Sequence, residues 1–405
     1  MVESWVGAMG RLLPRAILEA GHSFTFVTRD LQHYLRSFDG PGSHPLLGAA
    51  NILTAETNDD LTEQVSAWHE VFGFDGVITS CDYYLRPVAE LAHHLGLPGA
   101  APEAVDRALR KDRTRAAMAA AGLPAPGFAV CDDWEQTANA AARLGYPLIL
   151  KPVDLCAGMF VQRVDDERAL AHAYAQLQNF PVNARHQVRA PQVLLEEMLI
   201  GPEVSVETVT VDGVTHVVGV TDKRLGAEPY FVETGHMFPA DLDTGLAAAA
   251  EQMAVATLAA LGFDRGVAHT ELRLTAKGPR VIEVNPRPGG NRITELIRRV
   301  TGIDLVRVAV QLAAGAPVDL APAPTGVGSA AVAFLLPPRA GVVTGYAGRP
   351  TTDVVESEFK PNGFRAGEPT SNNTYLGHVM VASNGTDAGD RARALIDGIT
   401  VQYAS

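Results

Sequence analysis

The run Ala268-His269-Thr270-Glu271-Leu272-Arg273-Leu274, the connection Thr275-Ala276-Lys277-Gly278-Pro279, and Arg280-Val281-Ile282-Glu283-Val284-Asn285-Pro286-Arg287 decide how this chain is read. Both flanks alternate, so each strand divides its side chains between two faces. Ala268, Thr270, Leu272 and Leu274 share one face of the first strand, opposite His269, Glu271 and Arg273. On the second, Ile282 and Val284 lie opposite Val281, Glu283 and Asn285. A five-residue turn pairing Leu274 with Arg280 sets Glu271 across from Glu283, and Asn285 across from His269. Facing carboxylates destabilise a sheet. A divalent cation would offset that repulsion, and carboxylate and amide oxygens are the ligands magnesium prefers. Two solvated glutamates on an exposed face would explain either residue alone. Three converging oxygen ligands with Arg287 close behind point to a metal.

The rest of the chain narrows the setting. Its 405 residues predict two to four packed units at roughly 100–200 residues each. Hydrophobic residues at 47% and charged residues at 20% fit a globular chain rather than a disordered one. A net charge of −13 argues against a general nucleic-acid binder, which needs surplus Lys and Arg. Cys81, Cys131 and Cys156 form no CxxC and no disulfide framework, so the cytoplasm is the expected compartment. No secretory leader and no apolar run of roughly 18–20 residues stand out, and no membrane partner is expected.

Outward from the metal hairpin, residues 24–28 and Gly76-Val77-Ile78-Thr79 read as strands, and 87–96 as a helix ended by Gly96. This alternation suggests parallel βα units. Gly7 and Gly10 fall short of a dinucleotide fingerprint, and a tight turn feeding a helix accounts for them. An alanine-rich helix is expected over Ala108–Ala121, then strands at 146–152 and from Val193. A hairpin turning at Asp212-Gly213 follows over 204–220, with helices over Leu246–Leu261 and Arg292–Val300. An Ala/Pro/Gly-rich linker at 314–326 leads into short strands over 328–405.

Lys111 at a helix start and Lys151 at a strand end suit phosphates, though either alone reads as a surface lysine. The turn Glu196-Glu197-Met198-Leu199-Ile200-Gly201-Pro202-Glu203 offers backbone to an adenine edge and, in Glu203, a carboxylate for ribose hydroxyls. Taken in order with Lys111-Asp112-Arg113-Thr114-Arg115, Leu150-Lys151-Pro152 and Glu283-Val284-Asn285-Pro286-Arg287, the chain resembles ATP-grasp carboxylate–amine ligases. It is most similar to the L-amino-acid (dipeptide) ligases of natural-product biosynthesis.

The resemblance implies an α/β ATP-grasp fold in four parts. These are a Rossmann-like pre-ATP-grasp domain over 1–107, subdomains over 108–190 and 191–320, and a β-rich carboxy-terminal lid over 321–405. It implies ATP with Mg2+, or Mn2+ in its place, as cofactors, small carboxylate and amine substrates as partners, and leaves a homodimer open. Lys111 and Lys151 would hold phosphates, with Lys223 a further contact. Glu196, Glu197 and Leu199 would lie at the adenine hinge, and Glu203 at the ribose. Glu271, Glu283 and Asn285 would bind the metal, joined by Glu233, while Arg287 would face the reacting carboxylate and His236 would take the amine's proton. Asp154–Met159 and Lys223–Tyr230 are the expected lids, although the first carries a single glycine where similar enzymes carry more. The competing reading is an ATP-grasp carboxylase or formate-dependent transferase, since the same nucleotide residues would serve it.

Overall fold

The structure, a computed structural model, describes residues 1–36, 43–226 and 229–404. In the amino-terminal part, parallel strands Thr25–Thr28 and Asn51–Thr54 pack against helix Ala8–Glu19. Val2 bridges to Val27. The strand expected at residues 76–79 is extended chain without a ladder, held to Val2 by one backbone bond from Val2 N to the Ile78 carbonyl. The helix expected from Ala108 is two helices, Pro102–Leu109 and Lys111–Ala120. They break at Arg110, which is extended (φ −87°, ψ 108°) and whose guanidinium forks onto Asp112. The Lys111 amide turns away to the Val153 carbonyl. The break makes Lys111, Thr114, Arg115 and Met118 the buried face of the second helix, so its register is set by two cations rather than its alanines.

A four-stranded antiparallel sheet runs in the order Phe128–Cys131, Val193–Glu197, Leu148–Pro152, Gln162–Val164. Leu148, Leu150, Val193 and Leu195 point into a core closed by helices Trp134–Leu144 and Glu167–Gln178. Alternation sends Ile149, Lys151 and Glu196 to the opposite face. A boundary at 190/191 would cut this sheet, because Val193–Glu197 is one of its two central strands.

The main sheet has eight strands, all antiparallel: Gly278–Asn285, Gly266–Thr275, Glu203–Val211, Val214–Leu225, Glu233–Phe238, Ser329–Leu335, Gly377–Ser383 and Glu356–Phe359. The hairpin at Asp212-Gly213 is as expected, both residues having the positive φ of the favoured two-residue turn. Three strands from beyond residue 321 continue this sheet, so the last segment is built into the core as well as over it. That segment also contains a helix, Ala388–Asp397, where only strands were expected. Its buried residues include Ala388, Ala392 and Ile396 at fourfold spacing, and two alanines give little hydrophobic signal.

Helix Thr244–Leu261 has 18 residues and mean hydropathy 1.3, so by length and composition it could cross a membrane, contrary to the sequence expectation. Here Ala250, Ala254, Leu258 and Leu261 pack into the core behind the main sheet.

Candidate active site

A cleft of about 600 Å³ lies between the two sheets. Its floor is the hairpin that opened the sequence reading. Glu271 pairs with Glu283 and His269 with Asn285, as expected. The route differs: the turn is tighter, with Leu274 opposite Pro279 and Thr275 opposite Gly278, and a bulge at Ile282 restores the count. Past the bulge the faces also differ from expectation. Val281 enters the core, and Ile282 faces the cleft beside Glu283.

The facing carboxylates are neutralised by lysines. Lys111 Nζ lies 2.8 Å from Glu283 Oε2 and Lys223 Nζ 2.6 Å from Glu271 Oε1. Lys223, almost wholly buried, also lies 2.9 Å from Glu233 and 3.3 Å from Glu203. Burial alone would lower its pKa, but Glu233, Glu271 and Glu203 together hold it well above the ordinary value. Burial likewise opposes charge on Glu283, yet Lys111 and the Asn285 amide, 3.1 Å away, keep its pKa low. For Glu203 burial wins over Lys223, with Glu271 adding to it, and the pKa rises. His269 bridges Glu207 (2.7 Å) and Glu271 (3.0 Å). Burial disfavours its charged form, but Glu207 outweighs it with Glu271's help, to about 9.

Among the described residues, Glu203, Glu207, Glu233, Glu271 and Glu283 thus share Lys111, Lys223, Arg273 and two histidines, His236 and His269. A surplus of acid over base in a buried floor, made of oxygen donors in register, fits a hard divalent cation.

Across the cleft the balance reverses. Glu196 is buried with Arg115 Nε and Lys151 Nζ each 2.5 Å away. Arg115 Nη2 continues to the Ile282 carbonyl at 2.8 Å, tying this sheet to the floor. Those cations lower the Glu196 pKa against its burial, while burial lowers that of Lys151 despite Glu196. Two cations on one carboxylate leave a positive charge, which suits a phosphate. Glu197 and Leu199 line the cleft beyond them. Glu203 is delivered by the Gly201-Pro202 turn. Gly201 (φ 147°) passes so close to the Leu274 carbonyl that a Cβ would sit 1.9 Å from its oxygen.

Glu233 lines the cleft and is held by Lys223, by Asn291 Nδ2 (2.5 Å) and by His236 Nε2 (3.1 Å). His236 does not line the cleft. It is 2% exposed, edge-on to Phe334 and hydrogen-bonded to Glu233, so its expected contact with an amine would have to run through Glu233. Arg287 lines the cleft, its Nε 2.8 Å from Asp82 Oδ1. Of the expected lids, Asp154–Met159 reaches across: the Ala157 carbonyl accepts from Asn372 N at 3.3 Å. Near the second, Arg163 N donates to the Pro229 carbonyl at 3.1 Å, while Ala227 and Glu228 lie outside the described residues. Sequence reasoning gave no role to Arg115, Asp82 or Asn291. Arg115 alone had a local signal, four residues after Lys111 and so on the same helical face.

An ATP-grasp domain model matches residues 144–295, and an ATP-grasp N-terminal domain model matches residues 16–99. The uncharacterized protein y4rH of Sinorhizobium fredii is 29% identical over 306 residues, 74% of this chain and 62% of that protein. The alanine–anticapsin ligase of Bacillus subtilis is 27% identical over 273 residues, 63% of this chain and 57% of that protein. The chain therefore spans about three-fifths of the length of these curated relatives. The L-amino acid ligase of Bacillus licheniformis shares the fold at a TM-score of 0.81, with 23% identity over 100% of this chain and 98% of that one.

Proposed function

The chain belongs to the ATP-grasp superfamily, and from that premise we propose that it is an ATP-dependent ligase joining a small carboxylic acid, such as an amino acid, to an amine. The reaction is ATP + carboxylate + amine → amide + ADP + phosphate. A carboxylate cannot expel oxide at neutral pH, so the γ-phosphoryl group is first transferred to it, giving an acyl phosphate whose leaving group is phosphate. The observation that carries this reading is the opposition across one cleft of a cation-rich cluster, Arg115–Glu196–Lys151, and an acid-rich floor at Glu271 and Glu283.

Lys151 and Lys111 hold phosphate oxygens, with Lys223 a further contact, and Lys111 and Lys223 exchange their carboxylates for the nucleotide. Magnesium, or manganese in its place, would supply charge neutralisation at Glu271, Glu283 and Asn285, with Glu233 beside them. Residues Glu196–Leu199, Glu197 among them, form the adenine hinge, and Glu203 takes the ribose. Arg287 pairs with the acid. His236 takes the amine's proton by way of Glu233, which lies 3.1 Å from its Nε2. The loop 154–159 keeps water from the acyl phosphate.

We also propose the four-part division with its second boundary moved from 190/191 to about 200, action in the cytoplasm, and a role in natural-product biosynthesis. The identity of the family members matched supports the last. The deciding experiment is an ADP-release screen of amino acids in pairs with mass spectrometry of products. Amine-dependent ADP and a new amide are expected. Release dependent on bicarbonate or formate instead would replace the reading with a carboxylase or transferase.

A further inference from the structure

Arg287 does not stand free in the cleft. Asp82, which opens the short 3₁₀ turn Asp82–Tyr84, comes from the amino-terminal part of the chain and is 6% exposed. It lines the same cleft. Its Oδ1 accepts from Arg287 Nε at 2.8 Å and lies 2.7 Å from Nη2. Its Oδ2 accepts from the Trp5 indole Nε1 at 2.7 Å. Trp5 is itself fixed: its ring lies 5.7 Å from that of Tyr83, the Arg185 guanidinium stands 5.6 Å over it, and its amide donates to Ser80 Oγ at 3.1 Å. Each oxygen of Asp82 thus has a different donor, and the carboxylate cannot rotate without breaking both. On the arginine, Nη1 donates to the Pro288 carbonyl at 3.0 Å and Nη2 reaches Asn285 Oδ1 at only 3.4 Å. Of the five N–H groups, one on Nη1 stays uncommitted and one on Nη2 is weakly held. A guanidinium gripped along its Nε edge presents its remaining donors in one direction.

We propose that Asp82 is the positioning residue for Arg287: it aims the guanidinium at the carboxylate to be activated, and Trp5 fixes its aim. This rests on the ligase reading above. A carboxylate that merely ties two parts of the chain together would affect stability and every substrate alike. A positioning residue acts on the acid and leaves the nucleotide alone.

The test uses the full chain with L-amino acids as acids and hydroxylamine as the trapping amine. Asp82→Ala should lower kcat roughly 10- to 100-fold with the KM for ATP unchanged. Asp82→Asn keeps an acceptor for Arg287 and should recover part of the loss, and Trp5→Phe should fall between wild type and Asp82→Ala. Wild-type rates in Asp82→Ala, or an equal rise in KM for ATP and acid, would overturn the proposal. Should Asp82→Ala not fold, Trp5→Phe decides by the same split. If the wild-type chain forms no hydroxamate with any acid, the ligase reading has failed, and Asp82 is judged by NMR. The Arg287 Nε–H signal, assigned by its loss in Arg287→Lys, should exchange slowly in wild type and fast in Asp82→Ala or Trp5→Phe. An unchanged signal would sink it.

Discussion

The two walls of the cleft solve opposite electrostatic problems. On the small sheet one buried carboxylate, Glu196, sits between two cations. On the main sheet five carboxylates share three fixed cations and two histidines. Neither wall is neutral, and the imbalances have opposite sign. Each half is therefore incomplete without something of the other charge, and on the proposed reading magnesium with a nucleotide phosphate would supply one charge to each wall. Buried charge left unpaired is costly, so such imbalance persists where a ligand completes it.

The comparison breaks most visibly at Glu283. Glu283→Gln removes acid from the acid-rich wall, and turnover should fall about 10³-fold, with a higher magnesium requirement. The facing carboxylates suggest from sequence that this change would relieve repulsion and leave the metal-free protein equally or slightly more stable. Lys111 reverses that sign. It is 6% exposed and 2.8 Å from Glu283, so the variant leaves its ammonium facing an amide and should lose about 1–3 kcal/mol. Urea unfolding without metal, beside ADP release with a magnesium titration, checks both halves.

Lys151→Met is the mirror experiment. It takes a cation from the cation-rich wall and leaves Arg115 and Glu196 as a matched pair. Burial already lowers the pKa of Lys151, so its charge is held with difficulty. Stability should stay within about 1 kcal/mol of wild type, while kcat/KM for ATP falls about 10²-fold. A large loss of stability with intact nucleotide kinetics would make the cluster structural and end the comparison.

How much of this was open to sequence reasoning depends on the distance over which a signal travels. The Glu271–Glu283 facing was legible because strand alternation and one turn fix it locally. It was reached by the wrong turn, and the bulge at Ile282 supplied the missing residue. The fold class was legible through resemblance. Arg115–Glu196 and Asp82–Arg287 were not, since the partners are 81 and 205 residues apart and no local period links them. The lysines' hold on Glu271 and Glu283 was missed for the same reason. His236 was expected to face the amine, but strand parity cannot tell a cleft-lining residue from one tucked behind its neighbour.

That tucked position sets a smaller effect. His236→Ala should keep most acid-dependent ADP release but lower amide per ADP, roughly tenfold, because Glu233 loses the group that backs it. Parallel assays of ADP and amide test this. Equal loss of both would leave His236 a packing residue.

The smallest effect lies at the far edge of the main sheet, where Arg292 and His378 also line the cleft. At the edge strand of the main sheet, Glu356 accepts a hydrogen bond from His378 (3.3 Å) and lies 2.7 Å from Arg292. The His378 bond, opposed by burial and helped by Arg292, lowers its pKa to about 2. A carboxylate with a depressed folded pKa binds fewer protons folded than unfolded. Its contribution is therefore complete above the unfolded value, about 4.5, and is lost as pH falls through about 2. Glu356→Gln should consequently lower Tm at neutral pH by a few degrees at most and flatten its decline between those two pH values. Because these charges are matched by arginines and a histidine, magnesium and ATP should leave that acid limb unchanged while raising Tm at neutral pH. An acid limb that moves with magnesium would mean that the edge network also takes a metal, and the two-wall account of charge in this protein would need a third site.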